Sequence, residues 1–89
     1  MANKKGNPTK RKAVSAGEQA QYREWRQMFH AVGLRLTKQR FAIYRELETN
    51  VNHPDVDTIF RAVRTDIPKI SLFTVYRTMN MLEEAGLAW

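Results

Sequence analysis

Few residues in this chain could perform catalytic chemistry. The only group with hydrolytic potential consists of His53, Asp55, Asp57 and Ser71. A nucleophilic serine must lie within hydrogen-bond distance of its general base, but the sequence predicts that Ser71 begins a different helix from the turn that holds His53. The chain has no cysteine, so it offers no thiolate ligand for zinc and no disulfide. These observations argue against an enzyme.

The segment that follows Ser71 is predicted to be a helix with two different sides. Residues of an α-helix lie about 100° apart around its axis. At this spacing one side collects an apolar set, Leu72, Val75, Met79 and Leu82. The opposite side collects Phe73, Tyr76, Arg77 and Asn80. Packing on a core explains the first side and does not require the second.

The second side has the chemistry of a helix that reads DNA. Arg77 can donate two parallel hydrogen bonds to O6 and N7 of guanine, and Tyr76 can pack on a thymine methyl group. Ser71 and Thr74 can contact oxygens of the DNA backbone. The acidic residues Glu83 and Glu84 come only in the last turns, away from the N-terminal end that favours phosphate. Two alternatives stay open: Tyr76 as a half-buried core residue, and Arg77 as a solvated surface residue.

Hydrophobic periodicity predicts four helices, at residues 18–32, 38–49, 56–65 and 72–85. Thr37, Asp55 and Ser71 are suitable N-caps for the last three, and Gly33 and Gly86 are suitable C-terminal residues for the first and the last. The residues of the first three helices expected to face the core are Tyr22, Trp25, Phe29, Val32, Ile43, Tyr44, Leu47, Ile59, Phe60 and Val63.

The net charge of +6 comes mostly from the first residues of the chain. Five cations precede Glu18, namely Lys4, Lys5, Lys10, Arg11 and Lys12. We therefore predict a disordered basic arm over residues 1–16 and a single domain over residues 17–89, with the arm either solvated or adding phosphate contacts. No apolar run is long enough for a signal peptide or a membrane span, so we expect a cytoplasmic protein without a membrane partner.

Three blocks of the sequence form an ordered set of motifs. The first block is Gly33-Leu34-Arg35-Leu36-Thr37-Lys38-Gln39-Arg40. The second is His53-Pro54 before an Asp-rich helix start. The third is Thr74-Val75-Tyr76-Arg77-Thr78-Met79, continued by Leu82-Glu83-Glu84-Ala85-Gly86-Leu87. They resemble the N-terminal domain of the ferric uptake regulator (Fur) superfamily, and they keep the order and spacing of that family over about residues 20–88.

The resemblance implies a mainly α, four-helix domain with a helix-turn-helix of winged-helix type. Such proteins are homodimeric, metal-responsive bacterial repressors that bind A/T-rich palindromic operators through the fourth helix. By the same resemblance Arg35 inserts into the minor groove, Arg40 contacts phosphate, and Tyr76 and Arg77 form the base-reading pair. Arg40 has an alternative, which is an ion pair with Glu48 or Glu24. Phe73 departs from the family, which usually has a small residue at this position.

The resemblance also implies parts that these 89 residues do not contain. We expect the wing to be truncated after Trp89 and the C-terminal dimerisation and metal-binding domain to be absent. The chain should therefore be mainly monomeric and hold no cofactor, whereas the full-length protein would be a dimer with iron, manganese or zinc. His53 matches a metal ligand that acts only together with that missing domain. The motifs do not separate Fur from the peroxide sensors.

A second function of a different class stays open. Helix-turn-helix domains are sometimes used as protein–protein interaction modules. Phe73, Tyr76 and Met81 would then form an apolar hot spot on the fourth helix. Salt-sensitive binding to duplex DNA would discriminate against this alternative.

Overall fold

The computed structural model describes residues 16–50 and 52–88, which form four helices and contain no strand. The helices are α1 (Ala16–Ala31), α2 (Lys38–Thr49), α3 (Val56–Arg64) and α4 (Leu72–Glu84). The prediction of a mainly α chain with four helices is confirmed. The predicted basic arm lies outside the described residues except for Ala16, which is the first residue of α1 and so is helical rather than disordered.

Local hydrogen bonds begin the helices where the sequence predicts them. The side chains of Thr37, Asp55 and Ser71 accept hydrogen bonds from the backbone N–H groups of Arg40, Thr58 and Thr74, at 3.2, 2.8 and 3.0 Å. Each bond satisfies one of the free amides that every helix N-terminus carries. The bond from Thr58 is the main reason why the pKa of Asp55 is lowered.

Glycines in the left-handed conformation end α1 and α4. Gly33 and Gly86 both have a φ of 80°. The amide after each glycine bonds back across the last turn, from Leu34 to Phe29 and from Leu87 to Leu82, both at 2.9 Å. Only glycine adopts this conformation without steric penalty, which explains why the chain turns here.

The centre of the core lies where α2, α3 and α4 pack together. Ile43 of α2, Ile59 of α3, and Val75 and Leu82 of α4 are all 0% exposed. The turn between α3 and α4 adds Ile70, and the loop between α1 and α2 adds Leu36. The inward residues predicted for α2, namely Ile43, Tyr44 and Leu47, are all buried.

An aromatic cluster attaches α1 to α2. The ring of Trp25 lies 5.1 Å from that of Phe41 and 4.7 Å from that of Tyr44, between ring centroids. Phe29 lies 5.4 Å from Tyr44, and Tyr22 lies 5.2 Å from Phe41. Such tilted and edge-on pairs add stability beyond the burial of apolar area. Burial, and secondarily the carboxylate of Glu48, raise the pKa of Tyr44.

Two residues predicted to face the core do not. Val32 is 43% exposed because α1 ends at Ala31 and the chain turns outward at Gly33. Leu72 is 47% exposed because the buried stripe of α4 is centred on Val75 and Leu82, and Leu72 lies at its margin. Thr78 is buried instead. Phe60 is only partly buried, although it packs against the core.

Candidate nucleic-acid interface

The outward side of α4 carries large side chains that the fold does not use. Phe73 is 65% exposed and Tyr76 is 53% exposed, and Arg77 and Asn80 are exposed as well. The alternative that Tyr76 belongs to the core is therefore wrong. The two sides of the helix predicted from the sequence are confirmed apart from Leu72.

Arg77 is not simply surrounded by water. Its guanidinium carbon lies 5.5 Å from the centroid of the Phe73 ring, one helical turn earlier. A guanidinium placed over an aromatic ring is attracted by the negative face of the π system. The side chain of Arg77 is thus held along the outer surface of α4.

A groove of about 690 Å³ lies between the first turn of α2 and the outward side of α4. It brings together four of the predicted DNA-binding residues, Arg40, Phe73, Thr74 and Arg77. Three other predicted residues, Arg35, Ser71 and Tyr76, do not line this groove. Cations, hydroxyl groups and an aromatic ring therefore converge from two helices on one surface.

The hydroxyl groups of Ser71 and Thr74 form a small network at the start of α4. The Oγ of Ser71 accepts from the backbone N–H of Thr74 and lies 2.9 Å from Oγ1 of Thr74. A hydroxyl has one donor and two acceptor sites. Because one hydroxyl donates to the other, a single O–H donor of this pair remains for a phosphate oxygen.

The loop that carries Arg35 is held from two helices. The Nη1 of Arg40 donates to the carbonyl oxygen of Arg35 at 2.7 Å, and the hydroxyl of Tyr22 donates to the carbonyl of Leu36 at 3.3 Å. The Arg35 side chain itself is exposed. Within the described residues, Arg40 thus binds a backbone carbonyl rather than Glu48 or Glu24.

Sequence comparison assigns this arrangement to a family. The family model for the ferric uptake regulator family matches residues 31–88, which include α2, α3, α4 and all the predicted DNA-binding residues. This chain belongs to the ferric uptake regulator family. No solved structure shows significant similarity to it.

Relatives of two kinds match this member of the ferric uptake regulator family. It is 48% identical to the ferric uptake regulation protein of Rhizobium leguminosarum bv. viciae over 56 residues. These residues are 62% of this chain and 39% of that protein. It is 38% identical to the peroxide-responsive repressor PerR of Staphylococcus aureus (strain Mu50) over 55 residues. These residues are 62% of this chain and 37% of that repressor. A ferric uptake regulation protein of Brucella abortus is 41% identical over 63 residues, 71% of this chain and 45% of that relative. The chain spans less than half the length of these curated relatives.

The metal ligand suggested by the family resemblance, His53, lies apart from this surface. His53 is exposed in the turn before α3 and lines a small cavity of about 130 Å³ with Glu83 of α4. The described residues contain no group of three or more histidine, aspartate, glutamate or cysteine side chains that could hold a metal ion.

The groove contains two side-chain amides that were not among the predicted DNA-binding residues. Gln39 of α2 and Asn80 of α4 line it beside Arg40 and Arg77. Asparagine and glutamine amides can pair with adenine. Asn80 follows Arg77 by three residues, so helical periodicity already places it on this side, but the approach of Gln39 depends on how α2 packs against α4. Glu84 lines the same groove, closer to the binding surface than the charge pattern suggested.

None of the helices in residues 16–50 and 52–88 combines the length and the apolar character that crossing a membrane requires.

Proposed function

We propose that residues 17–89 form the DNA-binding domain of a metal-responsive transcriptional repressor. In this proposal the domain is a helix-turn-helix of winged-helix type, and α4 enters the major groove of an A/T-rich palindromic operator. The observation that carries the proposal is the outward side of α4, where Phe73, Tyr76 and Arg77 are exposed and no packing role explains them. The named relatives, regulators of ferric uptake and peroxide response, support it.

Each candidate residue has a chemical role in this proposal. Arg77 donates to O6 and N7 of guanine and Tyr76 contacts an adjacent base or phosphate. Arg40 and the free hydroxyl of the Ser71–Thr74 pair contact phosphate beside the groove. Arg35 extends from its braced loop into the neighbouring minor groove, where a narrow A/T-rich segment attracts a cation.

Regulation by metal is a further part of the proposal. His53 supplies one ligand, and the C-terminal domain that the family resemblance implies supplies the others. Binding of iron, manganese or zinc would then fix the orientation of two such domains in a homodimer, and so the spacing of two copies of α4. The protein acts in the cytoplasm in this scheme.

The test of base reading compares two DNA duplexes. One is selected from a random library with the wild-type chain, and the other is a random duplex of equal length. We expect Arg77→Ala to weaken binding to the selected duplex by about 1–3 kcal/mol and to relax the preference at one base pair, and Tyr76→Ala to weaken it as well. Arg23→Ala is the control, because Arg23 is an exposed cation that lines a different groove, between α1 and α2. Equal losses on both duplexes would mean that Arg77 touches only phosphate.

A second candidate function is a protein–protein interaction module. The exposed apolar side chains Leu72, Phe73 and Tyr76 on one helix favour it, since clustered exposed apolar residues mark binding surfaces. The two candidates predict different salt dependences of the affinity. Apolar docking changes little with salt, whereas binding to DNA weakens steeply as salt is added. The titration above, repeated at several salt concentrations, separates them.

A further inference from the structure

Phe73 occupies the most prominent position on α4. The buried side of the helix is formed by Val75, Thr78 and Leu82. At about 100° per residue, Phe73 points almost directly away from that side. Its exposed fraction of 65% exceeds those of Val32, Leu72 and Tyr76, which are 43%, 47% and 53%. A phenyl ring in this place contributes little to the core, so its role lies in what the helix meets.

The contact between Phe73 and Arg77 restricts the arginine. The guanidinium lies 5.5 Å from the ring centroid and both side chains line the groove beside α2. An arginine that is already stacked has less rotational freedom to lose when it meets a base pair. The remaining surface of the ring has no hydrogen-bonding atom and is suited to contact with an apolar group.

We infer that Phe73 and Arg77 read DNA as one unit, with Phe73 as both a positioning and a specificity-determining residue. The ring holds the guanidinium for O6 and N7 of a guanine and covers the C5-methyl group of a neighbouring thymine. That methyl group is the apolar feature that thymine presents in the major groove, and guanine is the base that arginine reads best. The preferred half-site therefore contains a thymine next to a guanine. The inference rests on the proposed DNA-binding function.

The methyl contact is tested by removing only the methyl group. Each thymine of the duplex selected with the wild-type chain is replaced by deoxyuridine, and affinity is measured by fluorescence anisotropy at low salt. We expect one replacement, beside a guanine, to reduce the affinity of the wild-type chain about threefold to fivefold. This factor corresponds to the free energy of burying one methyl group. Phe73→Ala should lose this sensitivity. Leu72→Ala, an exposed apolar neighbour, should keep it.

The positioning role is tested on the guanine. Replacing it by 7-deazaguanine removes one acceptor for Arg77. This replacement should reduce the DNA affinity of the wild-type chain by a larger factor than it reduces the affinity of Phe73→Ala or Phe73→Leu. Phe73→Tyr should lose as much affinity on 7-deazaguanine as the wild-type chain does, because it keeps an aromatic face. Phe73→Leu should keep the deoxyuridine effect, which separates the two roles. Thermal unfolding verifies that each variant is folded, as expected for a side chain that is mostly exposed.

The outcomes separate this inference from the proposed function. If the wild-type chain prefers one duplex but every deoxyuridine replacement acts equally on wild type and Phe73→Ala, the inference is wrong and DNA reading stands. If Phe73→Leu keeps the full 7-deazaguanine penalty, the positioning role is wrong. If the wild-type chain prefers no duplex over any other, the proposed function and the inference fall together.

Discussion

Arg40 donates a hydrogen bond of 2.7 Å from its Nη1 to the carbonyl oxygen of Arg35. The bond connects the first turn of α2 to the loop after α1, across the N-cap residue Thr37. The two arginines are both candidates for contact with DNA, one with phosphate and one with the minor groove. Their relative placement is therefore set before any DNA is bound, and a change at Arg40 should also alter what Arg35 does.

The first prediction concerns this coupling. Arg40→Lys keeps the charge but replaces the planar donor fork with a single ammonium group, so the loop should lose its brace. We expect both Arg40→Lys and Arg35→Ala to reduce the preference for an A/T-rich over a G/C-rich duplex. The double variant should deviate from additivity by about 0.5–3 kcal/mol, the range for residues in contact. Strict additivity in this double-mutant cycle would show that the two arginines act independently.

The second prediction concerns the attachment of α1. The Nη1 of Arg45 lies 2.6 Å from Oε2 of Glu18, and its Nη2 lies 2.7 Å from Oδ2 of Asp66. One guanidinium thus joins α1, α2 and the turn after α3. We expect Arg45→Ala to lower the free energy of unfolding by about 1 kcal/mol, because these pairs are only partly exposed and share one cation.

Arg61 provides the matched control for Arg45. Its pair with Asp57, at 3.4 Å within α3, is largely exposed, with side-chain exposures of 69% and 61%. Arg61→Ala should therefore change the free energy of unfolding by less than about 0.5 kcal/mol. Urea unfolding measures both variants. Equal losses for Arg45→Ala and Arg61→Ala would contradict the bridging role of Arg45.

Features of the fold that depend on residues close together in the sequence could be predicted, and features that depend on packing between helices could not. The N-cap bonds of Thr37, Asp55 and Ser71 span three residues, so the sequence pattern was sufficient to predict the starts of three helices. The exposure of Leu72 was predicted wrongly because it depends on how α4 rotates against α2 and α3. A helical pattern defines an apolar side, but its margins are decided by neighbours elsewhere in the chain.

The candidate site was predictable to the same degree. The outward set of α4 follows from periodicity within one helix. The groove does not, because it needs Gln39 and Arg40 of α2 to lie opposite α4. The bond from Arg40 to a backbone carbonyl was not predicted either, since only DNA phosphate and the side chains of Glu48 and Glu24 were considered as its partners.

The third prediction concerns acid stability. The backbone N–H of Thr58 donates to Oδ1 of Asp55, and this bond is the largest cause of the lowered pKa of that carboxyl group. A carboxylate with a lowered pKa in the folded state stabilises the fold fully above its ordinary pKa, about 4. That contribution is lost as the pH falls through the lowered, folded-state pKa.

Two substitutions isolate the charge of Asp55 from its capping role. Asp55→Asn keeps an N-cap that does not titrate, so its stability relative to wild type should improve as the pH falls. Asp55→Ala should be less stable than both at neutral pH. Thermal unfolding at a series of pH values measures this. A constant difference between wild type and Asp55→Asn across the acid range would contradict the assignment.

The fourth prediction concerns the affinity of these 89 residues. We expect a mainly monomeric chain that binds duplex DNA weakly, with a Kd of about 10⁻⁴–10⁻⁶ M and a steep salt dependence. Changing Lys4, Lys5, Lys10, Arg11 and Lys12 to glutamine should reduce the salt slope by about 0.9 for each lost phosphate contact, and leave base preference unchanged. Nanomolar, salt-insensitive binding, or a stable dimer in sedimentation, would contradict this prediction.

The fifth prediction concerns metal. The two histidines, His30 on α1 and His53 before α3, are both exposed, and no group of three potential ligands occurs in the described residues. A single imidazole with neighbouring turn carboxylates binds divalent ions weakly, because affinity comes from several ligands that converge with fixed geometry. Isothermal titration of the chain with zinc or manganese should therefore show no tight site, and His53→Ala and His30→Ala should behave alike. Micromolar one-to-one binding that His53→Ala abolishes and His30→Ala leaves intact would show that these residues already hold a complete site, and His53 would then not depend on ligands from elsewhere.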